Sequence, residues 1–486
     1  MTNSSVGKDN FIERFGLWNS EQESVAKEVI RQVNDLDLEV VRISFPDQHG
    51  ILRGKTIVAD QISSALANGI GMVTTLLAKD TSHKTVFSWF TEGGGLEIEE
   101  MTGGGDFLMV PDPTTFRVLP WAKKTGWILA DIYFPNGNPV PFSTRQILRD
   151  ALSDLDRDGY DYISGLEVEF HLFKLEDPKL RPEQAGQPAQ PPDVSLLAHG
   201  FQYLTEQRMD EIDPYLENLR RQLLDIGLPL RTLEVEFGPG QIEITFNPCS
   251  GLTTADNMIL FRSAVKQIAH RQGLHATFMC RPNLPNLFSS GWHLHQSLIN
   301  KKTNLNAFMP KTKAEILSPV GLQFVAGLLK HANGAAIFTT PTINGYKRYQ
   351  PYSLAPDRAL WGKDNRGAML RAISDTGDPA TRIENRIGEP AANPYLYLAS
   401  QVYSGLDGIR NKYKPSIPAD APYDTEAPLL PRSLEQAILA LRQNSYFQRK
   451  FGKQFIDYIL HIKEAEVERF QTTVTDWEHK EYFEIF

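Results

Sequence analysis

The sequence predicts an α+β fold, and three observations carry that reading. Strand-like segments are short and occur singly, long helical stretches separate them in no regular order, and the first two strands form a hairpin signal. A doubly wound parallel sheet would need strand and helix to alternate regularly.

Residues 1–37 read as a polar tail and an amphipathic helix, SEQESVAKEVIRQVNDL, with Val25, Val29, Ile30 and Val33 at helical spacing. This segment is expected to be an appendage. A small β-rich domain over 38–140 opens with LEVVRISFP and ILRGKTIVA, joined by the turn signal DQHG. The triplets Gly93–Gly95 and Gly103–Gly105 lack the Gly-Lys-Ser/Thr that charges a P-loop, so they read as mobile surface loops. Residues 141–486 form the second domain. It starts with the helical pattern STRQILRDALSDLDRDG and the strand YISGLEVEFHLF. RPEQAGQPAQPPD is too rich in Pro and Gln to pack and reads as an exposed loop.

With 486 residues, 41% apolar, the chain can bury a large core. A net charge of −9 argues against nucleic acid as a partner, which would need a basic stripe. No apolar run approaches the roughly 20 residues of a membrane helix, and the N-terminus lacks a secretory pattern. Cys249 and Cys280 are too few for a disulfide framework. A cytoplasmic setting is the expectation.

In GLEVEFHLF, alternation puts Glu167 and Glu169 on one strand face and Leu166, Val168 and Phe170 on the other. LEVEFGPGQIEITF presents Glu234, Glu236 and Glu243 around a Gly-Pro-Gly turn. SSGWHLHQSL aligns His293, His295 and Ser297, and TRIENRIGEP aligns Arg382, Glu384 and Arg386. Each segment alone also fits a half-exposed strand with a solvated face. Together they offer hard oxygen donors, few nitrogens and flanking arginines. That set suits Mg²⁺ or Mn²⁺ and a polyphosphate nucleotide handled without a P-loop.

GLEVEF, EFGPGQIEI, ATFMCRPN with SSGWHLHQSL, NGYKRYQPYSLAP with DNRGAMLR, and RIENRIGEPAANPYLYLA with GLDGI occur in that order. This series resembles the successive signatures of the glutamine synthetase superfamily, across about residues 38–470. The resemblance implies an N-terminal β-grasp domain that caps a funnel of antiparallel strands in the neighbouring subunit, in a dodecamer of two hexameric rings. It implies ATP and two or three Mg²⁺ or Mn²⁺ ions as cofactors, with L-glutamate and an amine as substrates. Glu169, Glu236 and Glu243 would hold one ion, and Glu167, His293 and Glu384 another. His295, Ser297, Arg371 and Arg382 match nucleotide contacts. Arg348 and Arg386 match the grip on glutamate, and Arg366 the arginine facing the transferring phosphoryl group, with Glu384 beside it. The implied chemistry passes through γ-glutamyl phosphate.

The sequence departs from ammonia-using members at Leu354, where they carry a glutamate, and in GIGMVTTLLAKDT, where they carry Phe-Asp-Gly-Ser-Ser. Asp80 is the one acid near the second place. Losing two anions removes the reason for a protonated amine to bind. Phe288 and Trp292 add aromatics before the metal histidine; aromatic walls commonly line small-molecule pockets, and Trp292 is expected to contact substrate there, although core packing explains an aromatic about as often. The reading is a γ-glutamylamide synthetase for a hydrophobic or aromatic amine such as aniline. Its rivals are a polyamine or alkylamine ligase, a true glutamine synthetase and a catalytically silent scaffold or nitrogen sensor.

Overall fold

A computed structural model describes residues 10–177, 181–350 and 354–486. The expected hairpin forms from Val40–Pro46 and Leu52–Val58, with Val40 opposite Val58 and Pro46 opposite Leu52. Its turn closes because the Asp47 carboxylate accepts the backbone N–H groups of His49 and Ile51, both at 2.9 Å. Thr125–Tyr133 joins Val40–Pro46 in parallel, and Asp106–Pro111 and Ile70–Val73 extend the sheet antiparallel.

The segment read as an appendage is built in. Asn19 and Gln22 cap the helix Ser20–Asp35 reciprocally, and Val29 and Val33 are buried in the main core. The Trp18 indole donates to the Pro111 carbonyl at 3.2 Å. The first glycine triplet also departs from expectation. Gly94 and Gly95 are buried, packed against the backbone of Trp89 and Met101, so they serve a folded turn. The Pro/Gln-rich stretch from Arg181 to Asp193 is largely exposed, as its composition predicts.

The second sheet runs Trp361–Lys363, Leu370–Ile373, Arg382–Gly388, Trp292–Asn300, Tyr160–Leu175, Gln241–Phe246, Leu230–Val235. Every neighbouring pair is antiparallel except the first. The 16-residue strand Tyr160–Leu175 is its spine. Leu166, Val168 and Phe170 are buried on the core face, where Phe170 meets Phe261 of the helix Gly251–Arg271 with ring centroids 5.9 Å apart. Behind the sheet, the helices Pro319–Thr339 and Pro394–Arg410 approach closely. A Cβ at Gly327 would lie 2.0 Å from the Ser404 carbonyl.

One buried guanidinium joins the two sheets' surroundings. Arg145, on the helix Thr144–Arg157, donates to Asp131 and Asp112 of the N-terminal region at 2.9 and 2.8 Å. It also makes a bidentate contact with Asp256 at 3.0 and 2.8 Å. Among the described residues, no helix is long and apolar enough to cross a membrane.

Candidate active site

Strand register assembles the site. Glu169 stands opposite Glu243, and Glu243 opposite Glu234, so three carboxylates form a row across adjacent strands. In a second row His293 pairs with Glu167, and in a third Arg371, Glu384 and His295 are successive partners. The period of two then sends the alternate residues Val168, Ile242, Ile244 and Leu294 into the core.

At the centre, Glu167 Oε1 lies 2.5 Å from His293 Nδ1, and its Oε2 lies 2.9 Å from His295 Nε2. His293 reaches 3.8 Å to Glu169 and 3.7 Å to Glu384. Two groups of donor atoms converge within 4.8 Å: Glu167, Glu243 and His293, and Glu167, His295 and Glu384. These groups cut across the ligand division that the resemblance implies, with Glu167 common to both. Glu236 sits at the end of its strand, where its Oε2 accepts the Phe237 N–H at 3.2 Å.

The electrostatics differ between the two ends. Burial, then the Glu169 carboxylate, pushes the Glu236 pKa up to about 8. Burial, then Glu167 and Glu169, likewise raises Glu243. Burial would also raise Glu167, but His293 and then His295 hold it well below the carboxylate range. Glu384 is depressed against the effect of burial by Arg386, then His293. Repelling carboxylates with an imidazole beside them are a donor set that fits a hard divalent cation. The Glu384 end already has its counter-charges. Arg371 donates to Glu384 at 3.0 Å, and Arg386 also pairs with it.

Arg371 also holds Asp364, and Arg382 donates to His295 Nδ1 at 3.2 Å. Ser297 lies two residues along the same face and is buried. Arg348 and Arg386 reach the site, though with donors already engaged. Arg348 donates to the carbonyls of Arg386 and Gly388, both at 3.1 Å, and its Nη2 lies 3.3 Å from His293 Nε2. Arg386 donates to the Arg366 carbonyl at 3.0 Å. The Arg366 side chain is exposed, with no hydrogen-bond or ion-pair partner among the described residues.

Trp292 requires a correction. It is fully buried and meets Tyr397 edge-on, ring centroids 4.9 Å apart, because the residue before an inward-facing histidine on a strand faces the other way. Phe288 is the aromatic left at the surface, 44% exposed. Asp80 is buried, bonded by Ser82 and Lys84 and paired with Arg469. Leu354 is half exposed with φ 57° and borders residues 351–353 of the YQPYSLAP segment, which lie outside the described residues.

Two working residues escaped the sequence reading. Buried Gln241 donates to Glu169 Oε2 at 3.0 Å and to Ser290 Oγ at 3.2 Å. Its alternation with Glu243 was the available signal. Gly291 leaves room for Arg348, whose Nη2 would be 2.4 Å from a Cβ there. No local pattern announces that contact.

Residues 141–482 match the family model described as "Glutamine synthetase, catalytic domain". A gamma-glutamylanilide synthase from Acinetobacter sp is 45% identical over 98% of this chain and 99% of its own. A glutamate–isopropylamine ligase from Pseudomonas sp is 31% identical, covering 94% and 99%. A glutamine synthetase from Methanosarcina mazei is also 31% identical, covering 94% and 98%. Among solved structures, one titled "Apo GmaS without ligand" superposes with a TM-score of 0.77 at 27% identity, over 94% of this chain and 99% of that one. ATP and divalent metal ions are general to such proteins, which join glutamate to an amine. The carboxylate rows, the converging imidazoles and these matches lead to one conclusion: the chain belongs to the glutamine synthetase family, whose members are ligases forming carbon–nitrogen bonds.

Proposed function

We propose that this protein joins L-glutamate to a hydrophobic amine, with an arylamine such as aniline as its substrate, through γ-glutamyl phosphate. The carrying observation is that the acceptor side has lost its acids while the glutamate-activating side has kept them. Leu354 stands where ammonia users place a glutamate, and Asp80 is held by Arg469 and backbone N–H groups. The 45% identity to a gamma-glutamylanilide synthase supports the same reading.

Bound at Glu167, Glu169, Glu236, Glu243, His293 and Glu384, two or three Mg²⁺ or Mn²⁺ ions would neutralise phosphate charge. Arg371 and Arg382 meet the nucleotide's phosphates at the far end of the sheet, beside His295 and Ser297. The γ-carboxylate of glutamate attacks the γ-phosphorus of ATP and ADP leaves. The exposed Arg366 guanidinium offers charge to the phosphoryl group in transit. The amine nitrogen then attacks the acyl carbon, the bond from that carbon to the phosphate oxygen breaks and phosphate leaves, and the nitrogen gives up a proton to solvent. An arylamine arrives neutral, so no carboxylate base is needed to take a proton from it before attack. Arg348 and Arg386 orient glutamate, at the cost of exchanging present partners. The active particle is a dodecamer with sites completed between subunits.

The test is phosphate release with ATP, glutamate and Mg²⁺ or Mn²⁺ against ammonium, putrescine, isopropylamine and aniline. Aniline is expected to give the highest kcat/KM. Ammonium turning over best would sink the reading.

A further inference from the structure

Beside the acidic row, four large aromatic side chains from three separate segments stack on one another at the surface. Tyr203 lies parallel to Phe237 with centroids 4.4 Å apart and an interplanar angle of 2°. Phe237 stacks on Phe288 at 5.4 Å, and Phe201 meets Phe288 edge-on at 5.4 Å. All four remain 37–46% exposed, whereas the core aromatics Phe170, Phe261 and Trp292 are fully covered. Rings gathered from distant segments and then left half open form apolar surface available to a ligand.

The cluster is fixed relative to the carboxylates. Phe237 directly follows Glu236, and its N–H donates to the Glu236 carboxylate. The Gln241 side chain accepts the Gly238 N–H at 3.1 Å and donates to the Ser289 carbonyl at 3.3 Å and to Glu169 at 3.0 Å. One buried amide therefore ties the Phe237 turn, the Phe288 loop and Glu169 together. The Phe201–Tyr203 segment is held by the Leu204 N–H, which donates to the Val235 carbonyl at 3.3 Å. Burial, then Glu236, Glu243 and Glu234, raises the Tyr203 phenol pKa, which puts its hydroxyl in the field of the acidic row. The arginines that serve phosphates, Arg371 and Arg382, lie at the opposite end of the strand order.

We propose that Phe201, Tyr203, Phe237 and Phe288 seat the aromatic ring of the acceptor, delivering its amino group beside Glu236. This rests on the glutamate–amine reading above and adds to it the specificity-determining residues. A planar neutral ring extends the existing stack, whereas a saturated ring of the same size cannot offer a π-face.

The experiment compares aniline, cyclohexylamine and hydroxylamine as acceptors for the full-length enzyme and its Phe288→Ala, Phe201→Ala and Phe288→Tyr variants, with sedimentation of each. The ratio of kcat/KM for aniline to that for hydroxylamine is expected to fall about ten-fold or more in both alanine variants, through the KM for aniline. Phe288→Tyr should restore it, and preference for aniline over cyclohexylamine should fall in parallel. Unchanged ratios in an enzyme that uses aniline would overturn the seat and leave the arylamine reading standing. A wild type that turns over hydroxylamine but not aniline would overturn both. Loss of aniline turnover that tracks a changed sedimentation profile would make the cluster a subunit contact and overturn the seat.

Discussion

A Cβ at position 291 would lie 2.4 Å from Arg348 Nη2, 2.9 Å from its Cζ and 3.1 Å from His293 Nε2. Both neighbours are buried and bonded, so neither can yield freely. Gly291→Ala is expected to lower kcat/KM for glutamate on the order of 100-fold, read by glutamate-dependent phosphate release. Activity near that of the wild type would show that the guanidinium has somewhere else to go. The carboxylates at the other end titrate in a definite direction. Glu236, at about 8, and Glu243 both lie above the ordinary value of 4.5, so the folded protein binds more protons than the unfolded chain. Stability from that source is complete below pH 4.5 and is lost as pH rises through about 8 for Glu236 and about 10 for Glu243. Mg²⁺ or Mn²⁺ needs the ionised form, so the rise in Tm on adding the ion to chelator-treated protein should be larger at pH 8 than at pH 6. Glu236→Gln should shrink that difference. Equal rises at both pH values would mean that these carboxylates do not take the ion.

Elements meet through single ionic nodes as well as through apolar faces. Asp154, on the helix Thr144–Arg157, binds Arg157 at 2.7 Å and Arg410 at 3.1 Å and pairs with Lys450, joining three helices. Burial opposes ionisation, yet those three cations hold its pKa well below 3.8. Its contribution is therefore present above that value and disappears as pH falls through the folded pKa. Asp154→Asn should cost about 1–3 kcal/mol at pH 7 in denaturant titrations, with the gap to wild type closing in strong acid. A gap that persists there would assign the loss to packing. The same elements show what could be read from the sequence. GLEVEF, QIEITF and HLHQS revealed their faces because a period of two is a local property. By that rule Trp292 could have been assigned to the core, but its proximity to His293 suggested otherwise. The partners of those faces were not legible. Pairing His293 with Glu167, or Glu243 with Glu169, depends on strand order, which links residues more than 70 positions apart. Contacts between residues 34 to 87 positions apart likewise hid Phe201, Tyr203 and Phe237, each unremarkable in its own segment.

For the whole molecule, Arg145 is one of the buried contacts that tie the N-terminal region to the catalytic region. It is 2% exposed, and three aspartates around it raise its pKa well above the usual arginine value, against the effect of burial. Arg145→Met would leave buried carboxylates without their cation and is expected to cost roughly 3–5 kcal/mol, measured by chemical denaturation. A loss below about 1 kcal/mol would show that Arg149 or water takes over. Similarity to the family's catalytic region begins at residue 141, yet Asp112 and Asp131 lie before that point. A fragment cut there would keep the guanidinium and discard two of its three counter-ions. Grafting the N-terminal region of a relative onto this catalytic region therefore calls for a donor with acids at those two places. Where a chimera lacks them, restoring the pair of aspartates is the first repair to make.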